Sequence, residues 1–174
     1  MKKFCVSALM FAICILSVNF CSAAKVRICD FGMDIFVSNY NEIAKSNNHQ
    51  YFMKNPVKSQ QDNSFYGMAL NNQANGNYIF FQVNNDGCIS SILVTNNLQD
   101  NGRNTIAALY NTLYVLGAEQ DEIIYLLNGV TKNNFAYQWI KNLNRYVAVT
   151  FEKKYETSGY VDCFYFFASD DETL

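Results

Sequence analysis

Between Asn77 and Thr95 two runs rich in β-branched and aromatic residues flank Asn84-Asn85-Asp86-Gly87. Asn and Gly tolerate the positive φ that a tight reversal requires, so this stretch predicts a β-hairpin. The pattern before it has a different period. Met33, Phe36, Val37, Tyr40, Ile43 and Ala44 recur at three and four residues and form one apolar stripe, which predicts a helix from Met33 to about Ser46. Ser64 to Leu70 reads as a further strand, with Gly67 marking an edge or a bulge.

Helical spacing returns after Gly102. Ile106, Leu109, Tyr110, Leu113 and Leu116 predict a second helix closed by Gly117. A third begins at Glu119, whose acidic first turn suits the positive end of a helix dipole, and is expected to stop at Asn128-Gly129. Strands are predicted over Asn134–Lys141, Arg145–Tyr155 and Gly159–Ala168, and Asp170 to Leu174 is a polar end. The expected fold is α+β, a mainly antiparallel sheet of about six or seven strands packed against two or three helices. The element order is helix, strands, helix pair, strands.

The two halves echo each other: Tyr40-Asn41-Glu42-Ile43 on the first helix parallels Tyr110-Asn111-Thr112-Leu113 on the second. Such an echo suggests an old duplication. In outline the layout is similar to the tandem helix-plus-sheet arrangement of secreted β-lactamase inhibitor proteins and related envelope proteins, a similarity that no motif carries.

The N-terminus changes the compartment. Met1-Lys2-Lys3, an apolar run from Phe4 to Leu16 and small residues at Ser22, Ala23 and Ala24 have the three-part form of a secretory signal peptide. An apolar core of about 13 residues falls short of the roughly 20 that a transmembrane helix needs. Residues 1–24 are therefore read as a leader and 25–174 as one domain, with no transmembrane anchor after cleavage. Losing Lys2 and Lys3 leaves 11 basic residues against 15 acidic and moves the formal charge from −2 to −4. Mild, dispersed acidity argues against nucleic acid as a partner. There are 23 asparagines, none in an Asn-x-Ser/Thr acceptor, which favours a bacterial source.

Little catalytic chemistry is visible. His49 is the single histidine, so it is the one imidazole that a cysteine or serine nucleophile could use. Carboxylates at Asp121-Glu122, Asp170-Asp171-Glu172 and Glu152 with Glu156 have ordinary roles at a helix start, a tail and a turn. Asp162 stands apart, because it interrupts an aromatic strand. Phosphate-cradling loops and calcium loops are missing from the sequence, and no cofactor is implied. Of the cysteines, Cys29, Cys88 and Cys163 remain after the leader; Cys88 and Cys163, inside strands of the two hairpins, are the pair expected to bridge.

What remains is surface. Tyr and Phe number 12 and 14, and many alternate along the predicted strands. Ile79, Phe81, Val147, Val149 and Phe151 suit a core-facing side. Tyr78, Phe80 and Gln82, Tyr146 and Thr150, and Phe164 with Phe166 are assigned to the opposite face as a partner-binding patch. The reading that follows is an exported, non-enzymatic binding or inhibitor-like module of the bacterial envelope or exterior, its partner a protein or glycan outside the cytoplasm. A small extracytoplasmic enzyme and an assembly subunit joined through strand edges are the alternatives.

Overall fold

The computed structural model describes residues 26–49, 52–53, 56–60, 65–69, 77–97, 103–156 and 159–169. The expected leader, the connection 71–76 and the acidic end from Asp170 lie outside these residues.

Helix α1 (Met33–Ser46) precedes four strands, β1 (Val57–Lys58), β2 (Phe65–Ala69), β3 (Tyr78–Val83) and β4 (Ile89–Asn97). Helices α2 (Arg103–Val115) and α3 (Gln120–Asn133) follow, then β5 (Phe135–Ile140), β6 (Arg145–Glu156) and β7 (Gly159–Ser169). All seven strands join one sheet in the order β1-β2-β3-β4-β7-β6-β5, and every neighbouring pair is antiparallel. The fold is α+β in the expected order.

The β3–β4 turn forms where Asn-Asp-Gly allows it. Gly87 takes φ 83°, its amide donates to the Asn84 carbonyl at 2.9 Å, and Asp86 Oδ1 accepts the Cys88 amide at 3.1 Å. Two tight turns therefore fix the register of β3–β4 and, through Asn144 at φ 54°, of β5–β6.

One face of the sheet carries the core. Ile79, Phe81, Ile92, Val94, Val147, Val149, Phe164 and Phe166 pack beneath Phe36 and Tyr40 of α1, Leu109 and Leu113 of α2, and Ile123 and Leu126 of α3. Phe36 meets Phe81 edge-on, ring centroids 5.1 Å apart. Phe164 and Phe166 thus belong to the helix-covered side and not to the opposite face. Their neighbours decide it: Phe164 pairs with Val94 and Phe151, Phe166 with Ile92 and Val149.

Two helical details also differ from the periodicity. Ile106 is exposed, because Ala108 and Thr112 complete the buried stripe with Leu109, Leu113 and Leu116 and turn Ile106 outward. And Gly129 does not end α3, which runs four residues further to Asn133, where Asn134 at φ 59° stops it. Gly129 instead lets helix and strand meet. A Cβ added there would lie 2.6 Å from the Ala136 Cβ of β5, closer than packed carbons approach.

Candidate functional site

The face away from the helices is built by alternation. Each residue one step from a core position points to it, and register then sets neighbours side by side. Gln82 lies beside Ser91, Phe80 beside Leu93 and Tyr78 beside Thr95. Leu93 lies beside Tyr165, Tyr165 beside Thr150, and Thr150 beside Phe135. Five of the seven assigned residues, Tyr78, Phe80, Gln82, Tyr146 and Thr150, therefore share this face.

The face divides into two regions. Its middle is closed: Phe80, Leu93, Val161, Cys163 and Tyr165 form a buried cluster of their own with Tyr78 against it. Lys154 extends over the Tyr165 ring, Nζ 5.4 Å from the centroid, which covers the phenyl face and keeps the ammonium near water and near Glu152 at 3.5 Å. Ser91 Oγ donates to Gln82 Oε1 at 3.2 Å, so that glutamine is engaged within the sheet.

Toward β5 the surface opens. Phe135, Tyr137 and Trp139 occupy every second position of this edge strand and are 37%, 42% and 37% exposed. They connect into one chain of rings through Tyr146: Phe135–Tyr137 at 5.8 Å, Tyr137–Tyr146 at 6.1 Å and Tyr146–Trp139 at 5.0 Å between centroids. Interplanar angles of 37°, 54° and 68° make a faceted surface instead of a flat platform. Behind the strand, α3 packs close through Gly129, so β5 is held rigidly although its outer edge belongs to no other strand. Phe135, Tyr137 and Trp139 were legible as a period-two aromatic run, Phe-Ala-Tyr-Gln-Trp-Ile, and are the residues the sequence reading passed over.

Elsewhere, groups with chemical potential are engaged. Asn111 Nδ2 contacts His49 Nδ1 at 3.2 Å at the junction of α1 and α2. Burial pushes the Tyr40 phenol well above its ordinary range, with the Asn111 side chain beside it easing the shift, so Tyr40 stays neutral. Asn41 holds the backbone of Met53 from both sides, accepting its amide at 2.7 Å and donating to its carbonyl at 2.9 Å. Among the described residues no group of three or more His, Cys, Asp or Glu could hold a metal ion.

The three thiols are free. A Cys88–Cys163 bridge is not formed, and register explains why. Cys163 faces Thr95, seven residues from Cys88 along β4 or about 23 Å, far beyond the roughly 7 Å that a bridge spans. Cys88 instead bridges to Gly32 at the segment that carries Cys29, where the Ile28 amide donates to the Ile89 carbonyl at 2.8 Å.

No protein-family model matches this chain, and no curated protein or solved structure does either. The likeness to β-lactamase inhibitor proteins therefore stands on element order alone. No helix among the described residues is long and apolar enough to cross a membrane.

Proposed function

We propose that the protein is an exported, non-enzymatic binding module of the bacterial envelope or exterior, and that it engages another protein through the Phe135–Tyr137–Tyr146–Trp139 surface. The observation that carries this reading is the unbroken chain of four rings, three of them more than a third exposed, on an edge strand without a charged residue. Trp and Tyr supply large contact area at low entropy cost and dominate binding energetics where they cluster. Tilted rings suit the pockets and ridges of a protein better than the flat faces of a stacked sugar. The free edge of β5 adds backbone donors and acceptors for an extended segment of the partner. The leader-like N-terminus, Met1-Lys2-Lys3 followed by an apolar run and Ala23-Ala24, supports export.

A photo-crosslinking amino acid placed at position 137 in cells of the source organism tests the proposal. A discrete adduct from position 137 but not from position 114, an exposed tyrosine on α2, is the expected result. Equal labelling from both sites, or none from 137, contradicts it.

A further inference from the structure

On the helix side of the sheet, beyond the core, the β6–β7 hairpin carries three cross-strand pairs in succession. Phe151 faces Phe164, Lys153 faces Asp162, and Tyr155 faces Tyr160. The first is core. The last is open, with Tyr155 76% exposed and the two rings in a T-shaped contact at 5.2 Å. Between them lies a polar step, and β4 contributes Asn96 to it as the partner of Asp162 on the other side.

That step is short of donors. Asn96 is 3% exposed, and its Oδ1 is buried without a hydrogen bond. Asp162 Oδ1 is buried without one as well. Lys153 Nζ lies 3.9 Å from it, close enough for ionic attraction but too long for a hydrogen bond. Buried oxygens are nearly always satisfied in folded proteins, because each one left bare keeps its full desolvation cost. Two side by side, at the end of a sheet and next to exposed aromatic rings, mark a place where donors arrive from outside.

We infer that Asn96, Asp162 and Lys153, rimmed by Tyr155 and Tyr160, form a binding site for an uncharged saccharide. A sugar ring brings hydroxyl donors to the two bare oxygens and hydroxyl acceptors to the Lys153 ammonium. Its C–H face suits the tyrosines, which stand one pair, about 7 Å, further along the hairpin. A cationic ligand would meet Lys153, and an anionic one would meet Asp162; a neutral polyol meets neither penalty. Lys153 is half exposed, so its side chain is free to swing from above Asp162 and admit the ring. The site lies on the opposite face from the β5 aromatic row and does not depend on that row's role.

Saturation-transfer NMR on the purified protein, with di- and trisaccharides of glucose, galactose, mannose and N-acetylglucosamine as probes, tests it. At least one should bind saturably, and Asn96→Ala and Tyr160→Ala should each weaken it tenfold or more, while Tyr137→Ala leaves it unchanged. Should Asn96→Ala fail to fold, the exposed Tyr155→Ala serves in its place. No saturable signal from any of the probes up to about 10 mM, or affinity unaltered in these variants, overturns the proposal.

Discussion

Val94 and Phe164 face each other across the β4–β7 junction, and they stand seventy residues apart in the chain. The same offset separates the starts of α1 and α2 (Met33, Arg103), of β2 and β5 (Phe65, Phe135) and of β4 and β7 (Ile89, Gly159). The sheet order reads β2-β3-β4 and then β7-β6-β5, so the two halves are arranged about an approximate twofold axis at this pair. Strand pairing within the halves differs by two residues: Phe81 faces Ile92, whereas Phe151 faces Phe164 and not Asp162. A shift of two keeps every side chain on its own face, so the layout tolerates it. Helix α3 has no counterpart among the described residues of the first half.

Phe164 makes the first prediction. It lies in the core at the axis, ring to ring with Phe151 at 5.0 Å. Phe164→Ala should cost about 3–5 kcal/mol, as truncation of a core aromatic does. Phe135→Ala, on the open surface, should stay within about 1 kcal/mol. Denaturant titration of the two variants distinguishes them.

Gly129 should be intolerant of the smallest enlargement. Alanine is the better helix former, yet its methyl would press on Ala136. The clash should outweigh the propensity gain and lower stability by about 1–3 kcal/mol. Hydrogen exchange at β5 amides should accelerate in this variant, since α3 holds that strand in place.

The thiols should react in order. Burial pushes Cys29 up to about 11, its charge further opposed by Cys88 and Asp30. Its thiolate fraction at pH 8 is then on the order of one in a thousand. Native protein treated with iodoacetamide should alkylate first at Cys88, which is partly exposed, with Cys29 and Cys163 following only on unfolding. Peptide mapping after timed quenching reads the order; early labelling of Cys163 would show that the middle of the outer face opens.

Asp162 should make stability depend on pH. Burial raises its carboxyl above the ordinary 3.8, and Lys153 pulls part of the shift back. The folded state therefore holds this proton more tightly than the unfolded state. Its contribution is most favourable below 3.8 and is lost as pH rises through the higher folded value. Asp162→Asn should raise the melting temperature at pH 7 and change it little at pH 3.5. A variant less stable at pH 7 would show instead that the Lys153 ion pair outweighs desolvation.

The elements were legible because they follow from local rules. Turn chemistry at Asn84 to Gly87 and the stripe from Met33 to Ala44 each specify one structure. The phase of β7 was not legible, for a physical reason. Cys163, Tyr165 and Phe167 on one side of the strand are as apolar as Phe164 and Phe166 on the other, since both faces are packed, so alternation there carries no direction. The Tyr-Asn echo misled in a different way. Tyr40 is fully buried, while Tyr110 is half-buried and stacks on the exposed Tyr114 at 6.2 Å, so matching letters occupy unlike environments. Gly129 was read as a helix end because close helix–strand contact leaves no mark in a single sequence apart from the glycine itself.

Trp139 offers the most direct test of the binding role. It sits in edge contact with Tyr146 at the end of the aromatic chain and is 37% exposed. The measurement is the affinity of Trp139→Ala for the partner crosslinked from position 137, made beside its melting temperature. Affinity should fall by tenfold or more, about 1.4 kcal/mol or above, while the melting temperature moves by no more than about 2 °C. Unchanged affinity with a large loss of thermal stability would mean that the row is a structural cap on the sheet edge, and would contradict the account.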